Sequence, residues 1–507
     1  MPADWRRIIP FLIIVLATLP YFVYNTLAPY HTDSAGFVLR AERLVHGEVQ
    51  PGWRWGAAIT EAILGGIPYA MTGDPLWFHR AGTVAGILLF ALGICLLFCR
   101  EGRIEDAAVI AILLLSPAAL ITGTIGKEDL IAVGLVLIGV ALAERGMWRS
   151  LIGGMLFGLA LATKEIAFAA VVAAMVYLFW NHRERAAWAA IGLGITIPIW
   201  WSMLTFVLSE RSVEMGEFMG IWSGYGTALS LLLKGMGTAV AIVGIVAGAH
   251  AVIKRKWDSA VAILLAIGLI LYLAGTSTVS YRNAMWVIPF VAYAASRMEK
   301  RWKWAAAAIG IIFTANTFLY MLPTLEFRAA TNLPASFPAD AKKYLDRNGI
   351  MLCMDSSALV KLYTGLETMG HPVFPDENTA RKIAAEITEL KSQRTVYIYP
   401  DYLAYDSGTL LAALKDLRVT PVYTGWYRDY HAVEIYPSVD EWEEQMRNAG
   451  YTIQLEREED DEIRGVPVKK RVYLVLTPDG RTGRVEVYTY KGHVLEKVFQ
   501  ATIFRVV

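Results

Sequence analysis

Cysteine is nearly absent from this chain, and three residues in 507 cannot build a disulfide framework. Cys95 and Cys99 fall inside one hydrophobic run and Cys353 in a polar stretch, so they read as packing residues. Neither sign of charge dominates. With 47 Lys and Arg against 46 Asp and Glu, the net charge of +1 excludes a polyanion partner selected by bulk charge. Nucleic acid is therefore excluded as a partner, and any preference for anions must come from the local placement of Lys and Arg. The chain has no internal repeat and no GxGxxG, Walker, HExxH or CxxC pattern, so the motif-based routes to dinucleotide, P-loop or zinc chemistry are closed. No small-residue cleavage site precedes Tyr30, so the apolar run after MPADWRR reads as a retained helix rather than a signal peptide.

Hydrophobicity is what the chain has in excess. At 55% hydrophobic residues and a mean hydropathy of +0.42 it is too apolar for a soluble protein of this length, and it reads as a polytopic membrane protein. Runs of spanning length occur at 8–27, 79–99, 105–123, 129–143, 150–163, 165–180, 186–208, 228–250, 258–276, 283–296 and 303–322, which gives about 11 transmembrane helices. The short runs 150–163 and 165–180 are separated only by Lys164 and read either as half-spans or as one kinked helix. With eleven spans, one set of loops (Arg6 and Arg7, Arg100 and Arg103, Arg145 and Arg149, Arg183 and Arg185, Lys254–Lys256, Arg297–Lys303) holds 15 cations. The other set holds seven: Arg40, Arg43, Arg54, Lys127, Lys164, Arg211 and Arg282. Positive charge stays inside, which predicts a cytoplasmic amino terminus, an extracytoplasmic first loop and an extracytoplasmic carboxy-terminal domain.

The first outer loop opens with HTDSAGFVLRAERLVHG. Asp33 starts a helix there, with Phe37, Ala41, Leu44 and Val45 at helical spacing and Gly47 at its end. An acid capping a helix just beyond the bilayer edge can also serve as a base. Further along, Ala57–Met71 reads as an amphipathic interfacial helix anchored by Trp53, Trp55 and Trp77.

After Pro323 the character changes. Residues 1–322 form the membrane domain, 323–338 a linker, 339–437 a soluble α/β domain, and 438–507 a β-rich part expected as an antiparallel meander with turns at Pro478-Asp479-Gly480 and Lys491-Gly492. The acidic run Glu456–Glu462 reads as a solvated loop, because it lacks the glycine and ligand spacing of a calcium site.

Ionisable residues at membrane depth are costly and mark function. On the outer side these are His31, Asp33, Lys127, Glu128, Asp129, Lys164, Glu165 and Arg282, each near the end of a span. Cations there suit a lipid-linked phosphate, whose departing charge they would stabilise. A carboxylate within hydrogen-bond reach of an attacking hydroxyl would take its proton. For any one of these cations, a snorkelling interfacial residue is the plainer reading.

The membrane part resembles the GT-C superfamily of polyprenyl-phosphate-sugar-dependent glycosyltransferases, nearest the protein mannosyltransferase and aminoarabinose transferase branch. The motifs are Asp33, Ala41 and Gly47 in the first loop; Phe78-His79-Arg80-Ala81-Gly82; Ser116-Pro117 followed by Asp129; Leu161-Ala162-Thr163-Lys164; and YRNAMWVIPF with Arg282 and Pro289. The resemblance implies Asp33 as the base or metal-linked carboxylate and Lys127, Lys164 and Arg282 as ligands of the donor phosphate. It also implies a polyprenyl-phosphate-linked sugar donor, a bilayer, and an acceptor that is a protein, lipid or glycan. Some relatives bind a divalent metal, for which His31 and Asp33 are the candidate ligands. The chain departs from the pattern in carrying Ser34 after Asp33 where relatives have Glu, so Glu61 or Asp129 would supply a further carboxylate, with Glu128 and Glu165 beside them. Trp200-Trp201-Ser202 is not WWDYG, which argues against an oligosaccharyltransferase. The expected function is an inverting glycosyltransferase; the alternatives are a lipid-linked glycan ligase or polymerase, and a transporter.

Overall fold

The computed structural model describes residues 5–48, 55–98, 103–126, 128–164, 166–201, 225–274, 280–354, 356–370, 377–403, 409–415, 417–429 and 435–507. Lys127, Glu165, Trp53 and residues 202–208 of the run 186–208 lie outside the described residues. The chain divides into two compact units, Met1–Leu27 with Arg40–Leu322 and Ala28–Leu39 with Pro323–Val507.

The first unit is helical: α1 Trp5–Val23, the later part of α2 Thr32–Val45, whose start belongs to the second unit, α3 Trp55–Thr72, α4 Leu76–Phe98, α5 Ile104–Leu114, α6 Pro117–Thr124, α7 Asp129–Ala143, α8 Met147–Thr163, α9 Ala167–Asn181 and α10 Arg183–Ile195. Helices Tyr225–Ile253, Trp257–Ala274, Ile288–Ser296 and Lys300–Thr331 follow, with a 3-10 segment at Tyr281–Val287. Among the described residues four helices are long and apolar enough to cross a bilayer, five if α5 and α6 form one span, and four shorter apolar helices accompany them. The run 105–123 is not one straight helix, because Pro117 lacks the N–H needed to continue α5 and restarts the chain as α6 at a 63° bend. The runs on either side of Lys164 are likewise two helices: α8 ends there, with Lys164 in extended backbone.

α7 sits deepest, almost every residue from Asp129 to Ala143 being buried. Small residues let its neighbours approach. A Cβ on Gly134 would fall 2.7 Å from the carbonyl carbon of Leu89 on α4, and one on Gly153 of α8 would fall 2.6 Å from the Gly139 carbonyl oxygen. α3 lies against the end of α8, where Gly56 leaves no room for a Cβ beside Ala162.

The second unit carries a five-stranded mixed sheet in the order β2-β1-β3-β9-β4, with β1 Ile350–Leu352, β2 Glu367–Met369, β3 Val396–Ile398, β4 Val419–Arg428 and β9 Val498–Val506. β1 is parallel to β2 and β3, as helical crossovers require, and β9 is antiparallel to β3 and β4. Period-two alternation divides the core between the faces. Ile350, Leu352, Val396 and Ile398 pack on the helix Glu377–Gln393, while Met351, Cys353, Tyr397 and Tyr399 pack on Phe337 and Val360. A second, antiparallel sheet runs β5 Thr452–Ile463, β6 Val466–Leu476, β7 Thr482–Tyr490 and β8 His493–Val494.

Three expectations need correction. The terminal strand leaves the meander and inserts between β3 and β4 of the first sheet. Residues 323–338, expected as a linker, are helical: 323–331 continue the helix Lys300–Thr331, and a left-handed Asn332 leads into Leu333–Ala341. The acidic run is not a loop but part of β5, where Glu458 faces Lys469 and Arg471 of β6 at 2.6 Å each, so cross-strand pairing offsets the like-charge repulsion.

Candidate functional site

In the second unit, α2 begins one residue before Asp33, so the acid lies in the first helical turn rather than at the cap. A carboxylate there faces the exposed N–H groups and the positive end of the helix dipole. Its own N–H donates to His31 Nδ1 at 3.2 Å, which makes that ring nitrogen an acceptor, and Nδ1 stands 3.7 Å from Asp33 Oδ2. With about a fifth of its side chain exposed, Asp33 remains accessible to a small hydroxyl. Gly47, at φ +81°, terminates the helix as its position in the sequence predicts.

The residue immediately before His31 in this segment is fixed by a buried cluster. Tyr30 accepts a hydrogen bond from Arg428, and the Arg428 and Arg328 guanidinium carbons lie 5.1 and 5.2 Å from its ring centre. Both guanidiniums also stack on Tyr436, and all four residues are buried. Sequence reasoning missed this cluster, since nearly 400 residues separate Tyr30 from Arg428.

The first unit holds a separate knot of charge. Lys164 Nζ, at the end of α8, donates to Glu128 Oε1 at 2.9 Å and stands 3.7 Å from Asp129 Oδ2 at the start of α7. All three are buried. Asp129 Oδ1 accepts from the indole of Trp286 at 3.1 Å, a partner the sequence reading did not single out. Glu61, buried on α3 against Gly82, is close enough to Glu128 for their charges to repel. Trp286 shares its 3-10 segment with Arg282, which is half-buried. Lys164 is thus no isolated cation: it pairs with Glu128 in the turn before α7 and with Asp129 at the start of α7, and Glu61 of α3 stands near Glu128. A buried ion pair of this kind locks helix ends together. Lys127 and Glu165 flank the knot in sequence and lie outside the described residues.

No protein-family model matches the chain, and no curated protein is significantly similar to it in sequence. Its structure is similar to that of ArnT from Cupriavidus metallidurans bound to undecaprenyl phosphate, with a TM-score of 0.52 at 14% identity over 83% of this chain and 96% of that one. It is equally similar to the Archaeoglobus fulgidus oligosaccharyltransferase in complex with Zn and sulfate, with a TM-score of 0.52 at 13% identity over 84% of this chain and 72% of that one. The apo form of that oligosaccharyltransferase gives 0.52 at 11% identity, covering 89% and 80% of the two chains. The chain shares the overall fold of these structures.

Within this fold the motif residues of the sequence take defined places. Ser116-Pro117 forms the break between α5 and α6, Lys164 ends α8, and Pro289 opens the helix Ile288–Ser296. One of these similar structures was crystallised with Zn. The side chains do not make a centre for it: His31 and Asp33 offer at most two ligands, and among the described residues no group of three His, Cys, Asp or Glu converges. No catalytic step is assigned to a metal.

Proposed function

We propose that the chain is an inverting glycosyltransferase that moves a sugar from a polyprenyl-phosphate donor to an acceptor hydroxyl on the extracytoplasmic face of the membrane. Asp33 carries the reading. It is a half-buried acid in the first turn of a helix that directly follows the first apolar helix, in a fold similar to that of a protein bound to undecaprenyl phosphate. The Asp33 carboxylate accepts the acceptor hydroxyl proton, the oxygen attacks the anomeric carbon, and the bond to the phosphate oxygen breaks. Lys127, Lys164 and Arg282 hold the phosphate and stabilise the charge that grows on it as polyprenyl phosphate leaves. Lys164 can do so only by loosening its bond to Glu128, so Lys127 and Arg282 make the first contacts and Lys164 answers behind them.

The same reading takes eleven spans, a cytoplasmic amino terminus and an extracytoplasmic carboxy-terminal domain, supported by the excess of cations in one set of loops. The soluble domain serves acceptor binding or lid-like support on the outer face. A second reading, transfer of a whole lipid-linked glycan, is favoured by the equal likeness to an oligosaccharyltransferase. Donor size separates them. Purified chain in nanodiscs is supplied with a polyprenyl-phosphate monosaccharide or with a lipid-linked oligosaccharide, and release of the lipid phosphate is measured. Release from the monosaccharide donor supports the first reading, release from the oligosaccharide alone supports the second, and release from neither defeats both.

A further inference from the structure

A groove of about 650 Å³ opens in the membrane unit between α7, α9 and the helices Trp257–Ala274 and Ile288–Ser296. Its walls are apolar, with Val140, Ala173, Val261, Leu265 and Phe290 among them, and one end is polar. Trp180 and Trp257 flank that end and are 84% and 67% exposed, the setting of indoles in an interfacial belt. The polar end therefore lies at headgroup depth and the apolar walls reach into the hydrocarbon.

The mouth is basic. The helix Tyr225–Ile253 closes through Arg255, held at φ +51°, and this left-handed turn brings Arg255 and Lys256 to the rim. Lys256 Nζ donates to the Arg297 carbonyl at 2.9 Å. Asp258, the one carboxylate lining the groove among the described residues, accepts from the Tyr293 hydroxyl at 3.1 Å. Arg255 is exposed at this rim where Lys256 is half-buried, so its guanidinium is the more accessible of the two cations.

We propose that the groove holds an acyl chain of an anionic glycerophospholipid from the leaflet on the side of the Lys254–Lys256 turn, with its phosphate against Arg255. Apolar contact alone gives a lipid no preference for the groove over the bilayer, because lipid tails are as apolar as the walls. Selection comes from the headgroup, and the chain fills a void whose lining would otherwise lack contacts on one side.

Native mass spectrometry of the full chain, released from nanodiscs of mixed phosphatidylcholine and phosphatidylglycerol, tests this. Wild type should retain one phosphatidylglycerol in preference to phosphatidylcholine by roughly fivefold, the effect of one interfacial cation. Arg255→Gln should abolish the preference while the lipid still binds. Ala173→Trp should fill the groove and release the lipid, with unfolding temperature checked against wild type. If Ala173→Trp fails to fold, the surface variant Arg255→Gln decides alone. Lipid retained in bilayer proportion by wild type, an unchanged preference in Arg255→Gln, or a lipid still held by a folded Ala173→Trp would each overturn the assignment. The readout is bound lipid, so its failure leaves the sugar-transfer reading standing.

Discussion

Replacing Lys164 by Met keeps the length of the side chain and removes the only positive charge described in the buried knot. Glu128 loses its 2.9 Å partner, Asp129 keeps the Trp286 indole alone among the described residues, and Glu61 still repels Glu128. Stranding a buried carboxylate costs about 3–5 kcal/mol, whereas exchanging both members of a pair for apolar groups of similar volume is near neutral. Lys164→Met should therefore destabilise the chain by about 3–5 kcal/mol, and adding Glu128→Leu should restore more than half of that. Reversible unfolding in mixed SDS micelles would measure both variants and the Glu128→Leu single variant, closing a double-mutant cycle. A loss below about 1 kcal/mol in Lys164→Met, the range of exposed pairs, or strictly additive effects, would refute the view that this pair locks α8 to α7.

Two further outcomes follow from packing and burial. Gly153→Ala places a methyl group 2.6 Å from the Gly139 carbonyl, a backbone atom that cannot rotate away, so α7 and α8 must separate. Thermal unfolding in detergent should register a loss of about 1–3 kcal/mol, and an unchanged midpoint would contradict the close approach. In the second unit, burial pushes the Glu496 carboxyl above its ordinary value of 4.5, against the opposing pull of Lys497 and Arg428. Because the folded-state value is raised, folding favours the protonated acid: this stabilisation is full below the unfolded value and is lost as pH rises through the folded one. Glu496→Gln should slow hydrogen exchange at Leu495 and Val498 at pH 7 and leave it unchanged near pH 4; equal effects at both would contradict it.

The parts legible in the sequence were those with a local cause. The helix after Asp33 ends at Gly47 because only that residue takes φ +81° without strain, and the turns at Gly480 and Lys491-Gly492 fall where positive φ is needed. α3 follows from its apolar run. What escaped depended on distant partners. Lys164 and Glu128 were each visible as charged span ends, but nothing in a spacing of 36 residues says that they meet. The acidic run reads as a loop until the basic strand opposite it is known, and the terminal strand looks like a fourth hairpin arm until β3 and β4 offer it a gap. Pro323 looked like the start of a linker, yet it sits inside a helix. Trp286 carried a faint signal, a large polar-tipped ring in the same short motif as Arg282.

The decisive measurement is turnover by Asp33→Asn in nanodiscs loaded with a polyprenyl-phosphate monosaccharide, with donor binding measured on the same sample. The exchange removes the proton acceptor and keeps the shape. A proton-accepting Asp33 predicts donor binding within about twofold of wild type and transfer reduced by about 10²–10⁴-fold. Transfer at the wild-type rate would contradict it and remove Asp33 from the chemistry.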